Sequence, residues 1–283
     1  MSKMKNIYSV LVGVLVVHAI SVAQTPRPVP ATYPAGMPVN YVRTWDATAP
    51  EADANMLPTR FLRDVKMATQ YFDGLGRPLQ SVVKSGSVET STNTVADMVS
   101  ATEYDQYGRE AYRYLAFAAN SAGGNASVND GIFKTNPFAQ QAAFMNGQYG
   151  SQGESFFYGK VNFEASPLNR PEKTMAAGNS WSGNERGVAT KYMYNTLLDD
   201  VKIWTISGGG NSQFGTYTVG GVYAQGQLSK QVTEDEAGHQ VIQFADKSGS
   251  VVLKKVQLTA VAETGTGAGY DGWLCTYYLY DDL

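Results

Sequence analysis

The chain has 283 residues, of which 43% are apolar and 17% charged, a balance that supports a folded core and excludes a disordered tract. With 22 basic against 25 acidic residues there is no positive excess to neutralise phosphates, so nucleic acid is not an expected partner. A single cysteine, Cys275, excludes an intramolecular disulfide framework and a Cys-rich metal site, and two histidines offer no imidazole set; no cofactor and no metal is expected.

Lys3 and Lys5 precede a run of 17 uncharged residues, Ile7 to Ala23, which ends in the small residues Ser21-Val22-Ala23 that a signal peptidase reads. Gly13 and His18 interrupt the run and Gln-Thr-Pro follows it, which favours a cleaved signal over a transmembrane anchor. Residues 1–23 are therefore read as a signal peptide. The exported chain is expected to be secreted or held at the cell surface, with no stable membrane span and a net charge of −5 from 20 basic and 25 acidic residues.

Residues 24–38 hold Pro26, Pro28, Pro30, Pro34 and Pro38, five of the 11 prolines, and read as an extended, semi-rigid leader that cannot donate ladder hydrogen bonds. From 39 to 283 the chain reads as one β-rich domain. Short runs such as Ala68 to Phe72, Val201 to Ile206 and Val251 to Val256, bounded by Gly- or Asp-containing turns, predict antiparallel strands. One short helix is expected where Asn136 can cap, Pro137 suits the first position, Phe138, Ala142 and Met145 share a face, and Gly147 can end it. The stretches 119–130 and 207–213 read as exposed loops.

An Asp-x-x-Gly spacing recurs four times, as Asp73 to Gly76, Asp105 to Gly108, Asp235 to Gly238 and Asp246 to Gly249. In a type I turn the first residue favours Asp, whose carboxylate accepts the turn's own amides, and the fourth favours Gly, which takes positive φ. Each motif is expected to form the tip of a β-hairpin. Arg77 and Arg109 follow the first two and could reach the Asp or stack on the ring that precedes it.

Tyr71-Phe72-Asp73-Gly74-Leu75-Gly76-Arg77 and Glu103-Tyr104-Asp105-Gln106-Tyr107-Gly108-Arg109 resemble the YD motif of bacterial RHS (YD-repeat) proteins. Asn40 to Arg43, Pro137 to Gln141, Gly153 to Gly159 and Phe163 to Arg170 are similar to the domain of unknown function that opens many secreted members. The resemblance implies a mainly β fold, an antiparallel hairpin meander forming part of a hollow shell that in some members encloses a toxin, and a minority carbohydrate-binding role. It implies as partners the remainder of such a shell or its cargo. His239 and Ser250 stand where the repeat has Arg, and the chain stops at Tyr280-Asp281-Asp282-Leu283, which reads as a truncation inside a repeat.

Other candidates read more simply as structure. Glu234, Asp235 and Glu236 beside His239 lack the ligand spacing of a calcium loop, and Gly265, Gly267 and Gly269 lead into Tyr270-Asp271-Gly272 instead of a phosphate-binding helix. Trp45, Trp181, Trp204 and Trp273 could stack on sugars or pack in the core, and Trp181, among Asn, Ser and Gly, is the best candidate for an exposed glycan contact. The expected function is a non-catalytic structural module of a secreted shell or scaffold. A carbohydrate-binding surface module using cell-surface glycan is the alternative, and a glycoside-acting enzyme the third.

Overall fold

The structure, a computed structural model, describes residues 24–34, 36–89, 93–125, 127–210, 214–258 and 266–280. The expected signal peptide, Gly265 and the terminal residues 281–283 lie outside the described residues. Alternation of Val, Thr and aromatic residues produces strands that make the chain mainly β, and among the described residues they pair antiparallel.

β1 (Asn40–Ala47), β2 (Val65–Phe72), β3 (Pro78–Glu89) and β4 (Thr94–Ala101) run side by side in one sheet, closed by the short β6 (Phe117–Ala118). The second sheet begins with β5 (Tyr112–Tyr114) at one edge and continues through β7 (Tyr158–Phe163), β8 (Pro171–Met175) and β9 (Val188–Tyr194). It then passes through β12 (Ser229–Glu234), β13 (Gln240–Ala245) and β14 (Val251–Gln257) to β15 (Trp273–Tyr277). β10 (Lys202–Ser207) and β11 (Thr216–Val222) form a separate two-stranded arm.

Each sheet has its own core. Tyr71, Val82, Val99 and Phe117 pack with Met145 of the helix α1 (Pro137–Tyr149) and Phe157. Leu228, Val232, Ile242, Phe244, Leu253 and Trp273 fill the second. Burial of one such side chain contributes about 1.5–3 kcal/mol.

α1 differs from expectation at both ends. Asn136 makes no capping bond, since its Nδ2 donates instead to the Gly123 carbonyl at 3.2 Å, and the helix runs past Gly147 to Tyr149. A glycine inside a helix costs only about 1 kcal/mol, which the packing of Phe138 and Met145 offsets. The stretch 119–130 is only partly exposed: Ala119 is buried, Val128 packs on the core, and Asn120 donates two hydrogen bonds to Gln140, one to its side-chain oxygen and one to its carbonyl. Residues 207–210 are exposed, and 211–213 lie outside the described residues.

Among the described residues three lysines are buried. Lys134 pairs with Asp97 at 2.8 Å and Asp130 at 2.7 Å, while Asp97 also accepts the amides of Ser85 and Gly131. Lys230 pairs with Asp199 at 2.6 Å. Lys255 donates to the carbonyls of Gly267 and Gly269, so the glycine loop serves as a lysine-binding turn of the β14–β15 connection.

Candidate functional site

The four Asp-x-x-Gly segments adopt one geometry. At the first, the Asp73 amide donates to the Arg77 carbonyl at 2.9 Å and the Gly76 amide to the Asp73 carbonyl at 3.0 Å. The Asp73 carboxylate accepts the amides of Leu75 and Arg77, both at 2.9 Å, through Oδ1. Asp105, Asp235 and Asp246 make the same four backbone and side-chain contacts within their own segments. The closing glycines have φ of +78° (Gly76), +77° (Gly108), +87° (Gly238) and +88° (Gly249), a region that only glycine enters without strain.

Asp73, Asp235 and Asp246 sit at hairpin tips, joining β2 to β3, β12 to β13 and β13 to β14. Asp105 does not. It follows β4 of the first sheet and leads to β5 of the second, with a single bridge, Thr102 to Arg113, behind it. The corner geometry is local and needs no ladder, so the same motif serves as a crossing between sheets.

The side chain that answers the Asp carboxylate distinguishes the corners. Arg77 Nε donates to Asp73 Oδ2 at 2.7 Å and Arg109 Nε to Asp105 Oδ2 at 2.8 Å. His239 Nδ1 lies 3.2 Å from Asp235 Oδ2, and at the fourth corner Ser248 Oγ donates to Asp246 Oδ1 at 2.6 Å. Desolvation pushes the Asp73 and Asp105 carboxyls up, but the amide and guanidinium donors of Arg77 and Arg109 outweigh it and hold both below the usual range. The His239 amide lowers Asp235, and the Ser248 hydroxyl lowers Asp246.

A fifth corner, which sequence reasoning missed, is two residues wider. The Glu164 amide donates to the Arg170 carbonyl at 3.0 Å, and the Arg170 guanidinium and Ser166 Oγ bond the Glu164 carboxylate, holding it at about 2. Its signals were available: an aromatic before the acid, Phe163-Glu164, and Arg170-Pro171, which repeats Arg77-Pro78. In both cases the strand resumes at the proline with a register shift, Phe72 facing Pro78 and Phe163 facing Pro171.

Arg77 and Arg109 connect successive corners, and Arg170 reaches the next strand. The Arg77 guanidinium lies 4.4 Å from the Tyr104 ring, next to Asp105, and Tyr104 OH donates to the Pro78 carbonyl at 2.9 Å. Arg109 lies 4.8 Å from Phe163, next to Glu164, and donates to Asn169 Oδ1 at 3.3 Å. Arg170 lies 4.2 Å from Tyr192 on β9, whose OH donates to the Pro171 carbonyl at 3.1 Å. A ladder of ion pairs and ring contacts thus runs from the first sheet into the second.

Trp181 is half-buried, with the Arg186 guanidinium 4.7 Å from its ring, and Trp204, at 37%, is more exposed. Trp273 belongs to the core. Trp181 borders an open cleft of about 260 Å³ with Leu115, Tyr149, Glu154, Phe156 and Phe157. This cleft carries one carboxylate, Glu154, and a second cleft, lined by Lys202, Trp204, Tyr223 and Tyr277, carries one, Asp246, so neither offers an acid pair. Among the described residues no group of three or more His, Cys, Asp or Glu is placed to hold a metal ion, and no helix is long and apolar enough to cross a membrane.

Fold and corners define a class: an antiparallel β protein whose strands are turned by a repeated acid-to-glycine corner. The family model described as Domain of unknown function (DUF6443) matches residues 43–194, more than half of the chain, and the chain belongs to that family. The match holds the corners at Asp73, Asp105 and Glu164, while those at Asp235 and Asp246 lie beyond it. No curated protein and no solved structure matches the chain.

Proposed function

We propose that the protein is a non-catalytic structural module, the N-terminal part of a secreted RHS/YD-repeat shell or scaffold. The observation that carries this reading is the corner ladder, in which Arg77 and Arg109 join neighbouring turns and Arg170 reaches the ring of Tyr192 on β9. Repetition of one turn across two sheets is how a wall is extended strand by strand. The partners of such a module are the remainder of the shell or its cargo. Export rests on residues 1–23, and sequencing of the secreted protein from Gln24 would support it, whereas retention of the full chain in the cytoplasm would refute it.

The test of the structural role is calorimetry of Arg109→Ala. A wall coupled through the ladder unfolds in one transition in the native protein and in two, or one broadened, in the variant. An unchanged profile would oppose the reading.

The cleft beside Trp181 favours a second reading, carbohydrate binding, because aromatic rings and one carboxylate can meet the apolar face and hydroxyls of a sugar. Glycan-array binding that Trp181→Ala abolishes would place it first.

A further inference from the structure

From Thr25 to Pro30 every residue is either proline or precedes one, so the segment is confined to the extended polyproline conformation before any tertiary contact forms. That conformation repeats every three residues. Burial follows this period: between Gln24 and Pro34 only Arg27, Pro30 and Tyr33 are half-buried, and the others are exposed.

Two of the three inward positions, Arg27 and Tyr33, have specific partners, and the third faces an aromatic cleft. The Arg27 guanidinium forms a two-pronged ion pair with Glu103, one prong at 3.0 Å, and lies 4.1 Å from the Tyr112 ring. Its amide donates to Tyr158 OH at 3.0 Å. Pro30, together with Pro26, Pro28 and Val29, borders an open cleft of about 210 Å³ whose far walls are Tyr114, Phe138, Phe157 and Tyr158. Tyr33 packs 5.3 Å from Phe133 and its amide donates to the Thr135 carbonyl at 3.0 Å. No residue from Gln24 to Pro34 belongs to a strand, so the leader is held by side-chain recognition and isolated bonds.

We propose that this groove is a recognition site for an extended proline-rich strand bearing an arginine, whose ligand is the chain's own segment 24–34, seated in cis and exchangeable with the same segment of a second copy. Aromatic walls that receive a polyproline ridge, with a carboxylate that orients an arginine, are how such segments are read. The ligand lies on the surface as a strap, so it can leave and another can enter without disturbing either sheet.

The test uses a fluorescent peptide of residues 24–34 and the chain shortened to begin at Gly36. Saturable binding to the shortened chain is expected, weakened by about tenfold or more by Arg27→Ala in the peptide or Glu103→Gln in the protein, and much reduced on the exported chain from Gln24, whose own strap competes. No binding to a shortened chain that circular dichroism shows to be folded, or equal binding of the Arg27→Ala peptide, would overturn the proposal. If the shortened chain does not fold, proteolysis of the exported chain decides. Arg27→Glu should expose the leader to cleavage and Arg27→Glu with Glu103→Arg should protect it again; equal cleavage of native protein and single variant would overturn the proposal.

Discussion

Arg77 engages two corners at once: its Nε bonds Asp73 Oδ2 at 2.7 Å while its guanidinium lies 4.4 Å from the ring of Tyr104, the residue that introduces Asp105. A Cβ added to Gly108 would lie 2.8 Å from Arg77 Nη1, so the second corner is also shaped around the first corner's arginine. The Asp73 turn therefore stabilises itself and the one after it.

Gly76 isolates the backbone requirement, because a Cβ there would meet no atom within 4 Å and only its φ of +78° is at issue. Gly76→Val should lower stability by about 1–3 kcal/mol in urea denaturation, and Gly76→Asn by less. Gly108→Val should cost a similar amount, since its φ of +77° imposes the same strain and the tip of Arg77 can shift aside. An unchanged melting temperature in both valine variants would remove the turn assignment.

Acid should loosen the corners. Glu164 is held at about 2 against an ordinary value of 4.5, so its contribution is complete above pH 4.5 and disappears as pH falls toward 2. The lowered carboxyls of Asp73, Asp105, Asp235 and Asp246 act in the same direction. Thermal midpoints should drop through this window, and Glu164→Gln, less stable at neutral pH, should show a shallower drop. Parallel curves for native protein and variant would show that Glu164 carries no such linkage.

The buried pair of Lys134 and Asp97 should behave as a cross-brace between β4 and the segment before α1. Lys134→Met leaves a buried carboxylate without its cation and should cost about 3–5 kcal/mol by chemical denaturation. Adding Asp97→Leu should recover little, because the amides of Ser85 and Gly131 would then lose their acceptor. A loss below about 1 kcal/mol in the single variant would argue against the brace.

Strand alternation and turn chemistry act between near neighbours, which is why the β class and the form of the Asp73 corner are legible in the residues themselves. Features that depend on distant partners are not. Burial of Lys134, Lys230 and Lys255 depends on Asp97, Asp199 and the Gly267 and Gly269 carbonyls, none of which is marked as their partner in the residue order. The Glu164 corner escapes a fixed four-residue spacing because it is two residues longer and closes on Asn169, at φ +52°, instead of glycine. Trp181 sits among loop-forming residues, yet Arg186 reaches over its ring. Asp105 shows the same limit in reverse: the corner is local, but which strands it joins is decided by the sheets.

The linkage of successive corners is most directly tested by a double-mutant cycle on Arg77→Met and Tyr104→Leu, read as unfolding free energy. Contact between guanidinium and ring calls for a coupling of about 0.5–2 kcal/mol, with a similar value for Arg109→Met and Phe163→Leu. Additive losses in both cycles would mean that each corner stands alone and that no ladder joins the two sheets.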